Sequence, residues 1–238
     1  MTTTAPPRIE PPADPAVRRR RVGLGVVAFL ALGVTLTMLS IYGSASLDEL
    51  AADDAGLAGA YAVAAPFFQG ALYVHIVTAC VALALGPLQF VARLRRSRPR
   101  LHRGVGRTYL GAVALGAVSG LAILPVNSAG LVGVFGFGAL AVLWLVTGYR
   151  ALRAIRGGDV ATHQAWMIRS YALTFAAVTL RLWLGLLMGA QLALGAAPDA
   201  AFANAYAAVP FLCWLPNLVV AEALVRRRGL PSYALPAT

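Results

Sequence analysis

Six stretches of about twenty residues, each nearly free of charge, constrain this chain more than any other feature. They run over about 22–42, 70–92, 106–126, 131–149, 166–190 and 203–225. At 1.5 Å of rise per residue, about twenty apolar residues cross a hydrocarbon layer of roughly 30 Å as a helix. Barrel strands do not fit, because the runs are about twice the length such a strand needs and lack alternation. Composition agrees: 59% of residues are hydrophobic, only 12% are charged, and the mean hydropathy is +0.73. A soluble domain carries about a quarter charged residues. The predicted fold class is therefore all-α, an integral membrane helical bundle with six transmembrane helices.

The net charge is +11, but its placement points to a bilayer and excludes nucleic acid as a partner. The chain has no Lys, and seventeen of its twenty Arg fall in four clusters at span ends. Arg18–Arg21 precede the first span, RLRRSRPRLHRGVGR (93–107) follows the second, RALRAIRGGD (150–159) follows the fourth, and RRR (226–228) follows the sixth. The intervening 43–69 loop holds Asp48, Glu49, Asp53 and Asp54 without Arg, and the 191–202 turn holds only Asp199. By the positive-inside bias, both termini are expected in the cytoplasm. No aromatic-interleaved basic face of the nucleic-acid type is present. Residues 1–21, rich in Pro and Thr before the arginines, read as a disordered cytoplasmic tail, 22–228 as the membrane domain and 229–238 as a short tail. The first span is longer than a signal-peptide core and no A-x-A site follows it, so it reads as a retained helix. Tyr42, Tyr109, Tyr149, Trp166 and Tyr206 lie near span ends and read as interfacial anchors. Cys80 and Cys213 sit in apolar runs as small hydrophobes.

Ionisable groups at membrane depth are costly and usually face the bundle interior or a wet cavity. At 100° per residue, His163, Ser170, Thr174 and Arg181 share one face of the fifth span. His102, Tyr109, Ser119 and Gly120 share a face of the third, and His75, Ala82, Gly86, Gln89 and Arg93 one of the second. A polar interior face is thus expected on the second, third, fifth and sixth spans, comprising His75, Arg93, Tyr109, Arg169, Arg181, Asn217 and Glu222. The first and fourth spans, without ionisable cores, read as lipid-facing support. His75 lies roughly 9 Å and Arg181 roughly 13 Å from the outer face by rise per residue. Arg169 and Glu222 match in depth near the other face, so they are expected to pair. The glycines Gly116 and Gly120 form a small-xxx-small pair suited to close packing, within this chain or in a homo-oligomer.

HRGVGRTY (102–109), HQAWMIRSYALT (163–174), TLRLW (179–183), PNLVVAE (216–222) and HIVTACVALALGPLQF (75–90) together resemble the bacterial membrane proteins grouped as domain of unknown function 2306. The resemblance covers about 70–225 and implies a multi-pass protein of the bacterial plasma membrane, with no activity assigned. The arrangement is more loosely similar to transmembrane b-type cytochromes. That likeness implies haem b held by His102 and His163, with Arg103, Arg107 or Arg169 meeting its propionates. It departs from the two-haem pattern, which uses four histidines within helices where this chain has three.

No Ser/His/Asp or Cys/His set points to nucleophilic catalysis, and no H-x-x-x-H or Cys-rich spacing points to zinc. The reading therefore favours a non-enzyme and no metal site. Three functions remain: a structural or regulatory membrane protein, an electron-transfer protein binding haem or quinone at His102 and His163, and a small proton-linked transporter. The last requires a solvated path from His163 to Arg181, and no inverted repeat supports it.

Overall fold

The computed structural model describes residues 15–52 and 58–231, and every element among them is helical. In chain order these are α1 (Pro15–Ser44), α2 (Leu47–Ala52), α3 (Ala58–Ala62), α4 (Pro66–Leu85), α5 (Ala92–Ser97), α6 (Pro99–Ala122), α7 (Gly130–Arg156), α8 (Val160–Thr174), α9 (Ala176–Ala193), α10 (Pro198–Leu212) and α11 (Leu215–Arg227). Short 3-10 turns follow α4 over Gly86–Phe90 and α6 over Leu124–Val126. They make six candidate membrane spans: Arg18–Ser44, Pro66–Phe90, Pro99–Ala122, Gly130–Arg156, Val160–Ala193 and Pro198–Arg227. Neighbours in sequence pack on one another, α4 on α6, α6 on α7, α7 on α8 and α9 on α10, while α1 lies on α4 and α11 on α8. The bundle closes so that Arg20 and Arg228 sense each other's charge at the arginine-rich end.

Several helices begin earlier than the apolar runs do, for local reasons. The Asp159 carboxylate accepts the Thr162 backbone N–H at 2.9 Å, so the fifth span starts at Val160 rather than near 166. Pro99 opens α6 where its missing N–H costs nothing, carrying Arg100, Arg103 and Arg107 as exposed residues of the first turns. His102 and His163 consequently sit inside helices, not ahead of them. The expected disordered segment 1–21 is helical from Pro15 onward, since a run of four arginines propagates a helix well. Residues 1–14 and 232–238, most of both expected tails, lie outside the described residues, as do Asp53 and Asp54.

Two spans are broken, and the breaks matter for the interior. The fifth turns at Phe175 between α8 and α9. The sixth breaks at Cys213–Trp214, where Pro216 enters the first turn of α11 without a hydrogen-bond donor. In lipid a freed carbonyl must find another donor. The Cys213 carbonyl accepts from the Thr179 hydroxyl and from Asn217 Nδ2. Asn217, the expected interior residue of this span, also donates to the Ala172 carbonyl at 3.1 Å and to the Thr179 hydroxyl at 3.0 Å. It is a clasp between two helix breaks.

The acidic 43–69 segment is not merely a loop. Ser46 and Glu49 cap each other reciprocally at the start of α2: the Ser46 N–H reaches the Glu49 carboxylate at 2.7 Å, and the Glu49 N–H reaches the Ser46 hydroxyl at 3.3 Å. That backbone donor holds the Glu49 carboxyl below the usual carboxylate range. Leu47, Leu50, Ala58 and Tyr61 then bury themselves against Tyr42, Leu72, Ile76, Ile123 and Val126. α2 and α3 thereby cover the end of the bundle opposite the arginines.

Candidate functional site

The interior polar residues fall into three layers. At the arginine-rich end, Arg169 Nε and Nη2 donate to the two carboxylate oxygens of Glu222, the second at 2.9 Å. The pairing expected from matched depth is therefore present and bidentate. Arg169 is only 3% exposed, and its guanidinium lies 4.7 Å from the Trp166 ring centroid, with Arg150 at 4.9 Å from the same ring. Trp166, expected at an interface, is buried between these cations. His163 Nδ1 lies 2.9 Å from the Ala151 carbonyl of α7, and His163 is among the groups electrostatically nearest His102. His102 Nδ1 and Gln89 Nε2, the latter's amide lying against Gly106, are buried without a hydrogen-bond partner among the described residues. Arg93, Arg103 and Arg107 are exposed, so Arg93 lies on α5 outside the interior.

The middle layer is a closed hydroxyl lattice. Tyr109, fully buried, lies 2.9 Å from both Ser170 Oγ and Thr174 Oγ1. Trp144 Nε1 donates to Thr174 Oγ1 at 2.9 Å, and Thr174 Oγ1 donates to the Ser170 carbonyl at 2.9 Å. One assignment satisfies every proton: Ser170 donates to Tyr109, Tyr109 to Thr174, and Thr174 to the carbonyl. The chain of hydroxyls ends on a backbone oxygen, so it ties α6, α7 and α8 together. Tyr109 is a core residue, not an anchor. The fourth span also proves to be more than lipid-facing support, because α7 supplies Trp144 and packs Gly136 against Pro210 so closely that an added Cβ would meet the Pro210 carbonyl oxygen at 2.9 Å.

Above this layer lies a cavity of about 260 Å³ that reaches toward the covered end and is bounded by residues from all six spans and from α3. Thr174 and Trp144 form its floor, and its walls are apolar, among them Leu83, Leu140, Leu173 and Leu180. Polar groups converge at one side: Arg181 of α9, His75 of α4, Tyr42 of α1, Tyr61 of α3 and Tyr206 of α10. Tyr42 lies within electrostatic reach of Arg181, and Tyr61 and Tyr206 within reach of Tyr42. Burial pushes the Tyr61 phenol up, which keeps it a protonated donor. None of these three hydroxyls hydrogen-bonds another described residue. Arg181 donates Nη1 to the Ala177 carbonyl within its own helix and Nη2 to the Met38 sulfur, a weak acceptor. Among the described residues it has no carboxylate partner.

The face shared by His163, Ser170, Thr174 and Arg181 is thus divided among three settings. His163 turns to α7, Ser170 and Thr174 join the lattice, and Arg181 enters the cavity. The cavity lining includes neither His163 nor Ser170. Sequence reasoning missed Tyr42 and Tyr206 as cavity residues by reading them as anchors, and missed Tyr61 by leaving α3 in a loop. One signal was available: Glu222 is the only carboxylate inside the six expected spans, and it already matches Arg169, so Arg181 has none left.

Six apolar helices, interior charges sequestered from lipid and freed carbonyls met by side chains define an integral multi-pass membrane protein. The chain belongs to the family described as predicted membrane protein, DUF2306, whose model matches residues 72–225. That match spans α4 to α11 and takes in His75, Tyr109, Arg169, Arg181 and Glu222. No curated protein and no solved structure gives a significant match to the chain.

Proposed function

We propose that this membrane protein binds a small amphipathic monocarboxylate in the bundle cavity, its head at Arg181 and its tail along the apolar wall. The observation that carries this reading is a largely buried guanidinium facing a cavity in which no described carboxylate neutralises it. A desolvated charge without a partner is costly, and a planar carboxylate matches the guanidinium fork. One cation with three tyrosine hydroxyls beside it suits a monoanion better than a phosphate of higher charge. Apolar walls with a few convergent polar groups are the usual character of a small-molecule site. In this reading the arginine-rich end faces the cytoplasm of a bacterial plasma membrane, and the ligand enters from the side covered by α2 and α3. The test is equilibrium binding of radiolabelled decanoate to detergent-purified protein. Saturable binding of one decanoate per chain is expected, lost by at least tenfold in Arg181→Met. Binding that is absent, or indifferent to that substitution, overturns the reading.

A second reading, haem b between His102 and His163, is favoured by one observation. His102 Nδ1 is buried without a partner, while His163 spends Nδ1 on a carbonyl and leaves Nε2 available, the orientation a ligating imidazole takes. Arg103 and Arg107 are free for propionates, whereas Arg169 is engaged by Glu222. A Soret band in protein from haem-replete cells, lost in His102→Ala or His163→Ala, is its expected mark. A featureless visible spectrum before and after dithionite sinks it.

A further inference from the structure

We infer that His75 is a proton acceptor for the cavity, so that the carboxylate is bound together with one proton. The inference rests on the carboxylate reading above and adds a co-ligand to it.

Geometry fixes what His75 offers. Its Nδ1 lies 2.8 Å from the Gly116 carbonyl, and a carbonyl only accepts, so Nδ1 carries the hydrogen. In the neutral ring Nε2 is then a bare lone pair, and no described residue hydrogen-bonds it. A Cβ at Gly120 would lie 3.2 Å from its Cε1 and Nδ1, so the imidazole packs closely against α6. His75 lines the cavity alongside Arg181, and Arg181 is the charged side chain facing it.

The other titratable or polar groups at the cavity come from every element around it. They are Tyr42 of α1, Tyr61 of α3, Cys80 of α4 itself, Asn127 beyond α6, Trp144 of α7, Thr174 of α8, Tyr206 of α10 and Cys213 just after it. Ser119, one residue from Gly120 on α6, spends its hydroxyl on the Leu115 and Gly116 carbonyls. Among the described residues no carboxylate lines the cavity. The described residues therefore supply one permanent cation and one vacant base, and none of them would hold a proton on that base while the cavity is empty.

A carboxyl group completes the set. One oxygen accepts from Arg181, and the other shares a proton with His75 Nε2, as O–H···N or as O⁻···H–N. The proton comes from solution and no other bond is made or broken. Two cations facing each other in a poorly solvated space repel, and an anion between them removes that repulsion. By linkage, a carboxylate that favours the proton is itself favoured by the proton to the same factor. The ligand class is thus a weak acid taken up as anion plus proton, with no net charge added to the site.

The deciding experiment uses the full chain in detergent, in weak buffer with a pH-indicator dye, titrated with sodium decanoate while bound decanoate is counted. Up to one proton is expected to disappear per decanoate bound, and the apparent Kd should rise about tenfold per pH unit on the alkaline side. Decanol, with the same chain and no acid group, should bind without proton uptake. His75→Gln should keep saturable decanoate binding but with a pH-independent Kd and no uptake. Wild-type binding without uptake and with a flat pH profile overturns the role of His75 while leaving the carboxylate site standing. Uptake that survives in His75→Gln overturns it as well. Absence of decanoate binding in the wild type removes both readings. Should His75→Gln fail to fold, the wild-type pH profile and the decanol comparison decide alone.

Discussion

Two buried arginines in this bundle have opposite surroundings. Arg169 meets both oxygens of Glu222, stacks on Trp166 and sits one turn from a hydroxyl lattice in which every proton is used. Arg181 meets a helix carbonyl and a thioether and opens on a cavity lined by three tyrosines whose hydroxyls bond no described residue. Polarity inside a membrane is costly in either place. Where the protein satisfies the group by itself, the group is structure; where it leaves the group unsatisfied, something else is expected to arrive. Arg169 therefore belongs to the scaffold, and Arg181 to the proposed site.

Substitutions at the two arginines should move stability in different directions. Arg169→Met strands the Glu222 carboxylate and is expected to cost about 3 kcal/mol, at the low end for a broken buried pair because Glu222 keeps some solvent. Thermal unfolding in detergent measures it, and exchanging the two residues (R169E with E222R) should recover part of the loss. Tyr109→Phe empties the centre of the lattice but leaves Thr174 bonded to Trp144, so a loss of about 1 kcal/mol is expected in the same assay. Asp159→Ala removes the cap of α8 and should lower the melting temperature less than either. The Thr162 contacts hold the Asp159 carboxyl below its ordinary range. Its contribution is therefore present above the unfolded-state pKa and lost as pH falls through the folded one, so wild type and variant should converge in acid. Arg181→Met should show no loss of stability at all, since an apolar chain replaces an unneutralised charge. A clear drop in its melting temperature would break the contrast between the two arginines.

Much of this was legible in the chain before any fold was considered. Span number, the arginine-rich end and the Arg169–Glu222 tie follow from run length, cluster placement and depth, because these depend on distance along a helix axis. Helical phase turned His75, Tyr109, Ser170 and Thr174 inward; Tyr109, Ser170 and Thr174 are buried and His75 lines the cavity. It failed for the fifth span as a single stripe, because sharing a face says nothing about what each turn of that face meets. Breaks at Phe175 and Cys213–Trp214 redirect the later turns, and only Pro216 among the responsible residues announced itself. Gly116 and Gly120, read as a close-packing pair within or between chains, receive Trp144 and His75 of this same chain.

The sequence by itself determined that the chain is a six-span helical membrane protein of the DUF2306 family with polar groups buried inside. Those facts rest on local hydropathy and spacing, which survive any arrangement of the helices. Tertiary structure alone decided which polar groups satisfy one another and which do not. Hydrogen bonds are settled by distances between helices far apart in sequence, such as α1 with α9 through Met38 and Arg181, and α8 with α11 through Arg169 and Glu222. That is why Tyr42, Tyr61 and Tyr206 join Arg181 and His75 around one cavity, although no spacing in the chain connects them.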